Sequence, residues 1–374
     1  MPWNLLMWLA AAAALGIVFL VVQWIHLAIV LTWEAGETRG MSYYGRTVAE
    51  RNRFKRRLRL HARLLYPIVR LSSHVSSFSF PKVSFVYREV AAPRGTCTEE
   101  SFARAVDYSP RPDDVFVVTQ MKCGTTWMQH VVYEVLNRGN GDIVESGRTL
   151  YALSPWLEAV TGVPIDESPL IGEERPSRLI KTHLPARLCP YDRAPRYIYV
   201  ARHPVSCFAS CVDFIRTNIG AFAPDLPVSE EWFRSPELMW WGTWTDHVNG
   251  WWSRSRAEDN VLFVYFEDMR RDLTATVQRV AAFLDIVPLT EREVVSIVEK
   301  CGFAYMQRHK DAFEMNPPHV LQTDAALFVR GTADRHADVP EPVRQRLRVW
   351  CAKEMASSEF PLADAYADVA RAAV

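Results

Sequence analysis

Between Leu5 and Thr32 there is no Asp, Glu, Lys or Arg. A helix needs about 20 apolar residues to cross a bilayer, so this stretch is long enough to span one with tilt. Cys-x-x-Cys pairs are also missing. The seven cysteines (Cys97, Cys123, Cys189, Cys207, Cys211, Cys301, Cys351) are scattered and odd in number. That excludes a complete disulfide framework and a zinc ribbon, and it fits buried thiols in a reduced compartment. Cys207 and Cys211 share helical spacing but have no ligating partners nearby in sequence, and no metal-ligand spacing occurs elsewhere. Repeats and low-complexity tracts are absent too. Net charge is zero, with 43 basic and 43 acidic residues. The first 71 residues hold ten Lys/Arg and three Asp/Glu, so the remainder holds 33 against 40, a net of −7. An acidic body of that kind argues against nucleic acid as a partner.

Trp3, Trp8, Trp24 and Trp33 lie toward the ends of the uncharged stretch, where indoles favour the membrane interface. No basic residue precedes it and the apolar run is long, so an uncleaved single-pass anchor over 5–32 is expected rather than a signal peptide. Arg39, Arg46, Arg51, Arg53, Lys55, Arg56, Arg57, Arg59 and Arg63 all follow it. Positive charge stays cytoplasmic, which predicts a cytoplasmic body. Residues 33–85 are then a basic juxtamembrane linker. Within it Phe54, Leu58, Leu65 and Val69 fall on one helical face, and two readings stay open: a helix lying on anionic lipid, or a solvated linker helix. Ser72–Ser79 is expected to be a hinge, and 86–374 the catalytic domain.

In that domain short apolar runs alternate with helical stretches. Strands are expected at Val115–Val118, Arg178–Lys181, Tyr197–Val200 and Val261–Tyr265. Helices are expected at Thr125–Asn137, Pro204–Thr217, Pro236–Arg256, Leu273–Leu284 and Glu291–Lys300. This alternation predicts an α/β fold with a parallel sheet flanked by helices, binding its ligand beyond the strands' carboxyl ends.

The segment Asp113–Gln129 reads DDVFVVTQMKCGTTWMQ: an apolar strand, a loop with Lys122 and Gly124, and a helix start at Thr125. Backbone N–H groups at such a start attract an anion. A nucleoside-triphosphate loop would carry its lysine after the glycine, at Thr125. Here the lysine stands two residues before the glycine, which suggests a different phosphorylated donor. Three more segments place polar residues after apolar runs: SRLIKTHLP (177–185), RYIYVARHPVSCFAS (196–210) and LFVRGTADR (327–335).

In order and spacing these segments resemble the PAPS-dependent sulfotransferases, most closely the cytosolic small-molecule class; PAPS is 3′-phosphoadenosine 5′-phosphosulfate. The family's T-Y-P-K-S-G-T-T-W loop is similar to Thr119–Trp127. Its K-T-H-L-P is identical to Lys181–Pro185, and its Y-V-A-R-N/H-P with a later serine matches Arg202 and Ser210. SPWLE (154–158), WGTW (241–244) and FEDM (266–269) also look like family landmarks. The resemblance implies a P-loop NTPase-like three-layer fold. It also implies transfer of a sulfonate to a hydroxyl or amine, with adenosine 3′,5′-bisphosphate as product and no metal. His183 would be the general base, with Lys122 and Lys181 steadying charge. Lys122, Cys123, Gly124, Thr125, Thr126 and Trp127 would hold the 5′-phosphosulfate and the adenine. Arg202, Ser210, Arg330 and Gly331 would hold the 3′-phosphate, and Trp241, Cys301 and Phe303 would line the base.

The chain departs from the family at Met121 and Cys123, where the family has Pro and Ser, and in its shortened Arg330-Gly331 motif. Arg335 is a candidate for the missing cation. The vertebrate dimer motif is not found, which leaves oligomeric state open. The acceptor is expected to be a hydrophobic small molecule or lipid, since aromatics (Phe78, Phe80, Phe85, Trp156, Phe222) fall in the segments free to shape its pocket. Two other readings remain at this point: a P-loop kinase, and a non-catalytic nucleotide- or lipid-binding membrane protein.

Overall fold

The computed structural model describes residues 2–75, 78–322 and 335–373. The chain opens with α1 (Pro2–Thr38) and α2 (Val48–Val75), followed by a hairpin of β1 (Ser84–Tyr87) and β2 (Val90–Pro93) and by α3 (Glu99–Val106). The core sheet is built from β3 (Asp114–Val118), β4 (Arg178–Thr182), β5 (Arg196–Ala201) and β6 (Val261–Tyr265). Around it lie α4 (Thr125–Leu136), α5 (Pro204–Ile219), α6 (Leu226–Arg234), α7 (Trp244–Ala257), α8 (Phe266–Arg271), α9 (Leu273–Phe283), α10 (Glu291–Cys301), α11 (Phe303–Arg308) and α12 (Glu341–Glu354).

The sheet is wholly parallel in the order β4-β3-β5-β6. Every residue of β3 and β4 is buried, as is nearly all of β5. Strands covered on both faces are apolar throughout instead of alternating, and Val115–Val118 and Tyr197–Val200 show that pattern. Register decides where the connecting loops emerge. Val118 stands opposite Thr182 on one side and Tyr199 on the other. The loops after β3, β4 and β5 therefore leave the same edge of the sheet, at the point where strand order reverses.

The four expected strands are present, and the helices expected after residues 125, 204, 273 and 291 begin at those positions. The helix expected over Pro236–Arg256 is shorter and begins at Trp244. Residues ahead of it cannot be helical, because Trp241 (φ 62°) and Gly242 (φ 91°) are left-handed. Thr243 then caps the helix by accepting a hydrogen bond from the Asp246 N–H at 3.3 Å.

The N-terminal region forms an antiparallel helical hairpin. His26 Nε2 lies 3.0 Å from His61 Nδ1, and the Trp33 ring meets Phe54 at a tilt of 45° with centroids 5.1 Å apart. From Leu5 to Ile25 the large apolar side chains of α1 are mostly exposed, over a length of about 31 Å. The helix is long and apolar enough to cross a membrane.

The second helix differs from both expectations for it. Phe54, Leu58 and Leu65 are buried and Val69 is half-buried, so that face is spent on the body. Lys55 pairs with Asp311 (3.0 Å) and Glu314 (2.9 Å), and the Arg51 guanidinium donates to the Gly147 carbonyl at 3.0 Å. The expected hinge at Ser72–Ser79 starts as helix, since α2 continues to Val75. Burial on the body predicts opposite outcomes for adjacent leucines. Leu65→Ala should lower unfolding free energy by about 2–4 kcal/mol. Leu64→Ala, whose side chain is exposed, should stay within about 0.5 kcal/mol. Chemical denaturation of the full chain in detergent reads the difference.

Candidate active site

One cavity of about 730 Å³ opens at this edge of the sheet. Among the expected site residues, Lys122, Gly124, Thr125, Thr126, Trp127, His183, Arg202, Ser210, Trp241 and Phe303 all line it. Segments far apart in sequence thus converge on one cleft.

The turn after β3 is sharp. Lys122 (φ 66°) and Gly124 (φ 105°) are both left-handed. A side chain at Gly124 would place its Cβ 2.7 Å from the Phe266 ring, so only glycine fits this close approach. Thr125, at the first turn of α4, bonds Thr119 through their hydroxyls at 2.6 Å. Lys122 Nζ sits over the Phe214 ring at 4.6 Å, and the Lys122 carbonyl accepts from Arg202 Nη1 at 3.0 Å. The two expected anion sites are thereby in direct contact. Arg202 also lies over Phe266 (4.4 Å), whose ring meets Trp127 edge-on at 5.5 Å. Phe266 is a site residue that motif reading missed, although it opens the FEDM landmark.

His183 follows β4 immediately. Its Nδ1 lies 2.8 Å from the Thr119 carbonyl oxygen, which can only accept. The proton therefore sits on Nδ1, and Nε2 keeps its lone pair. Burial pushes the His183 pKa well below the usual 6.5, and the Lys181 charge pushes the same way. The ring is thus a neutral imidazole with an unprotonated Nε2. His247 supports the same turn by donating to the His183 carbonyl at 2.8 Å, and the Tyr199 hydroxyl lies 3.0 Å from its Nδ1.

Glu158 holds the other side. Its fully buried carboxylate accepts from the His183 N–H (2.8 Å), the Thr182 hydroxyl (2.8 Å) and Trp156 Nε1 (2.8 Å). Burial raises its pKa against the pull of those donors. Segment 154–158 runs beside β4, where the Leu157 N–H donates to the Lys181 carbonyl and the Lys181 N–H to the Pro155 carbonyl, both at 2.8 Å. Sequence reading recognised this segment as a landmark without assigning its carboxylate a role.

Several expected residues stand elsewhere. Lys181 is completely buried, its Nζ 3.3 Å from the Trp156 ring centroid and 3.3 Å from the Tyr151 hydroxyl, and burial pushes its pKa well below the usual lysine value against the pull of Glu158. Trp156 flanks it in register and lines the cavity in its place. Trp241, expected at the adenine, lines the cavity and packs against His183 (5.0 Å) and Trp156 (5.9 Å). Its strained backbone is fixed by its N–H to the Ala91 carbonyl (2.8 Å) and by the Gln120 amide, which donates to the carbonyls on either side of it. The Cys301 side chain is buried, and only its carbonyl serves the site, accepting from Trp127 Nε1 at 2.8 Å. Cys123 is also buried. Its N–H closes the turn onto the Gln120 carbonyl (3.3 Å), and its sulfur lies 3.6 Å from that of Cys207. Both cysteines therefore support the loop from behind. Arg330 and Gly331 fall outside the described residues, as does the side chain of Arg335. Among the described residues, no three His, Cys, Asp or Glu side chains are grouped to hold a metal ion.

The sulfotransferase domain model matches residues 112–359. Sulfotransferase 2B1 of Rattus norvegicus is 31% identical over 255 residues, covering 66% of this chain and 72% of that protein. Sulfotransferase 1E1 of Mus musculus is 28% identical over 280 residues, covering 72% and 92%. Among solved structures, retinol dehydratase in complex with androsterone and the inactive cofactor PAP superposes with a TM-score of 0.58 at 19% identity, covering 72% of this chain and 90% of that one. Mouse sulfotransferase SULT7A1 complexed with PAP gives 0.56 at 20% identity, covering 78% and 99%. The fold is shared, and with most of its body matched by the family model, this chain belongs to the sulfotransferase family.

Proposed function

We propose that this protein transfers a sulfonate group from PAPS to a hydroxyl or amine of a hydrophobic acceptor, with His183 as general base. The observation that carries this reading is the His183 ring. Its Nδ1 is tied to the Thr119 carbonyl, and it lines the same cavity as Lys122, Arg202 and Ser210. In the reaction, the acceptor oxygen attacks sulfur and its proton passes to His183 Nε2. The bond from sulfur to the bridging oxygen breaks, and adenosine 3′,5′-bisphosphate leaves. Lys122 neutralises the charge that grows on the bridging oxygen, since fixed donors aimed at developing charge are usually the largest catalytic term. The N–H groups at the start of α4, with the Thr125 and Thr126 hydroxyls, receive the 5′-phosphate. Arg202 and Ser210 receive the 3′-phosphate, for which a planar guanidinium fork is suited. Trp127 stacks on the adenine, with Phe303 beside it. Lys181 acts as a positioning residue, holding the Trp156 indole against the cavity.

The same reading makes the protein a single-pass membrane enzyme with a cytoplasmic body. Support comes from the exposed part of α1, whose length of about 31 Å equals the hydrocarbon thickness of a bilayer. More comes from the outer face of α2. Leu60, Leu64, Pro67, Leu71 and Val75 recur at helical spacing and are exposed. The exposed Arg56, Arg59, Arg63 and Arg70 flank them, a pattern suited to an anionic lipid surface.

Four outcomes are expected. Because only neutral His183 can accept a proton and its pKa lies below 6.5, the acid limb of kcat/KM should fall below that value, with no loss between about pH 6.5 and 7.5. His183→Ala should lose about two to four orders of magnitude in turnover while still binding adenosine 3′,5′-bisphosphate. A limb near pH 8, or full turnover in the variant, would refute the base. Arg202→Ala should cut the preference for adenosine 3′,5′-bisphosphate over adenosine 5′-monophosphate by about ten-fold or more, which is about 1.4 kcal/mol. Calorimetric titration with both nucleotides measures it, and an unchanged ratio contradicts the 3′-phosphate role. A topology reporter fused after Val374 should signal from the cytoplasm, and a signal from the opposite side would reverse the orientation.

A further inference from the structure

The wall of the catalytic cavity is not made by the sulfotransferase domain alone. Glu34 and Thr38, in the last turns of α1, line the same space as Lys122 and His183. Glu34 is a buried carboxylate. One oxygen accepts from the Val320 N–H at 2.9 Å, and the other lies 3.3 Å from His319 Nε2. The Leu321 N–H donates to His319 Nδ1 at 3.1 Å, so the ring proton is on Nε2 and points to Glu34. Burial lowers the His319 pKa to about 4, which keeps that ring neutral at pH 7. Among the described residues, the hydrogen-bond partners of Glu34 are therefore neutral donors. Burial raises the Glu34 pKa to about 7 against the pull of the Val320 N–H, so its carboxylate form is present in full only above neutral pH; that form has about four acceptor positions, and two are taken here.

The cavity carries its own ruler. Ser210, Phe214 and Asn218 lie one turn apart along α5, and all three line it. Asn218 is about 12 Å beyond Ser210. Its side-chain oxygen accepts from Gln322 (3.1 Å) and Asn316 (3.5 Å), which line the cavity too. The cavity lining thus combines cationic and hydroxyl groups, the apolar Phe214, Ile215 and Trp156, and a second set of polar side chains that includes Asn218 and Glu34. Just before Glu34, Ile25 and Ile29 of α1 are exposed on the helix whose apolar surface suits the bilayer.

We propose that the end of α1 is part of the acceptor site, and that Glu34 binds a second, hydrogen-donating polar group (hydroxyl or amine) of an amphiphilic acceptor. This rests on the sulfotransferase reading above. The acceptor presents one hydroxyl to His183, spans the apolar middle with its hydrocarbon body, and gives its far polar group to Glu34. It reaches the site from the membrane at the level where α1 leaves it. The helix then selects the acceptor as well as anchoring the enzyme.

The test uses the full chain in phospholipid vesicles with PAPS and two probes, decanol and the decane α,ω-diol. The unaltered protein should show a KM for the diol about ten-fold below that for decanol. Glu34→Ala should remove that preference and leave both kcat with decanol and affinity for adenosine 3′,5′-bisphosphate unchanged. Glu34→Gln, which keeps the side-chain shape and one acceptor oxygen, should lose part of it and serves if the alanine variant does not fold. A preference absent from the unaltered protein, or surviving both substitutions, overturns the inference and leaves the sulfotransferase reading standing. A joint fall in nucleotide affinity and turnover with both probes assigns Glu34 a merely structural role and also overturns it. No transfer to either probe overturns this inference, which requires a long-chain hydroxyl acceptor, and leaves the sulfotransferase reading to be decided by the nucleotide and His183 tests above.

Discussion

The site depends on one short contact: the His183 imidazole held 2.8 Å from the Thr119 carbonyl. It joins the ends of two parallel strands that finish level, Val118 opposite Thr182. A strand slip of one residue would turn His183 to the other face of the sheet. The contact also selects the tautomer, which no sequence motif can state. Glu158 secures the same strand end from behind with three hydrogen bonds. Removing that acceptor would leave buried donors unpaired, at about 1–3 kcal/mol each. The reactive ring is thus rigid because both its side chain and its backbone N–H are committed.

Much of this was legible in the sequence, for identifiable reasons. Parallel strands buried on both faces have a near-continuous apolar signature, so β3, β5 and β6 stand where the pattern placed them, and β4 does so on the shorter apolar core Leu179–Ile180. His183 and Arg202 follow strand ends directly and Lys122 and Gly124 lie in the loop after β3, and strand ends are where such sheets bind ligands. What resisted reading depends on tertiary register or backbone conformation. Trp241 faces His183 because its backbone is left-handed, and neither its neighbours nor its type announces that. Lys181 lies behind Trp156 because segment 154–158 pairs with β4 at that residue. Phe54, Leu58 and Leu65 formed a correct helical face, but periodicity cannot say whether lipid, water or protein covers it. Glu34 carries no motif in the sequence, and only the packing of the 315–322 segment brings it into the cavity.

The N-terminal hairpin and the catalytic body are physically one unit. Tyr43 and Tyr44 donate to the Glu314 carboxylate and the Met315 carbonyl, and the Gly40 N–H donates to the Val160 carbonyl at 3.2 Å. Basic side chains of α2 divide their work accordingly. Arg51 and Lys55 are committed to the body, while exposed arginines remain on the outer face. If α1 spans a bilayer as proposed, such an arrangement would orient the cleft relative to the lipid surface, which a flexible tether would not do. Substrate partitioning in the bilayer would then meet the cavity at a fixed height.

The central claim is that one cleft binds PAPS through two anion sites and passes its sulfonate to an acceptor deprotonated by His183. The most direct measurement follows sulfur-labelled PAPS in a single turnover by the full chain in vesicles, with unaltered protein and His183→Ala compared at equal nucleotide occupancy. The account predicts that label moves to the acceptor in step with release of adenosine 3′,5′-bisphosphate, and that the variant binds the nucleotide but leaves the label on it. Label that stays on bound PAPS in the unaltered protein across phenol, sterol and long-chain alcohol acceptors, or that moves equally fast in both proteins, would contradict it.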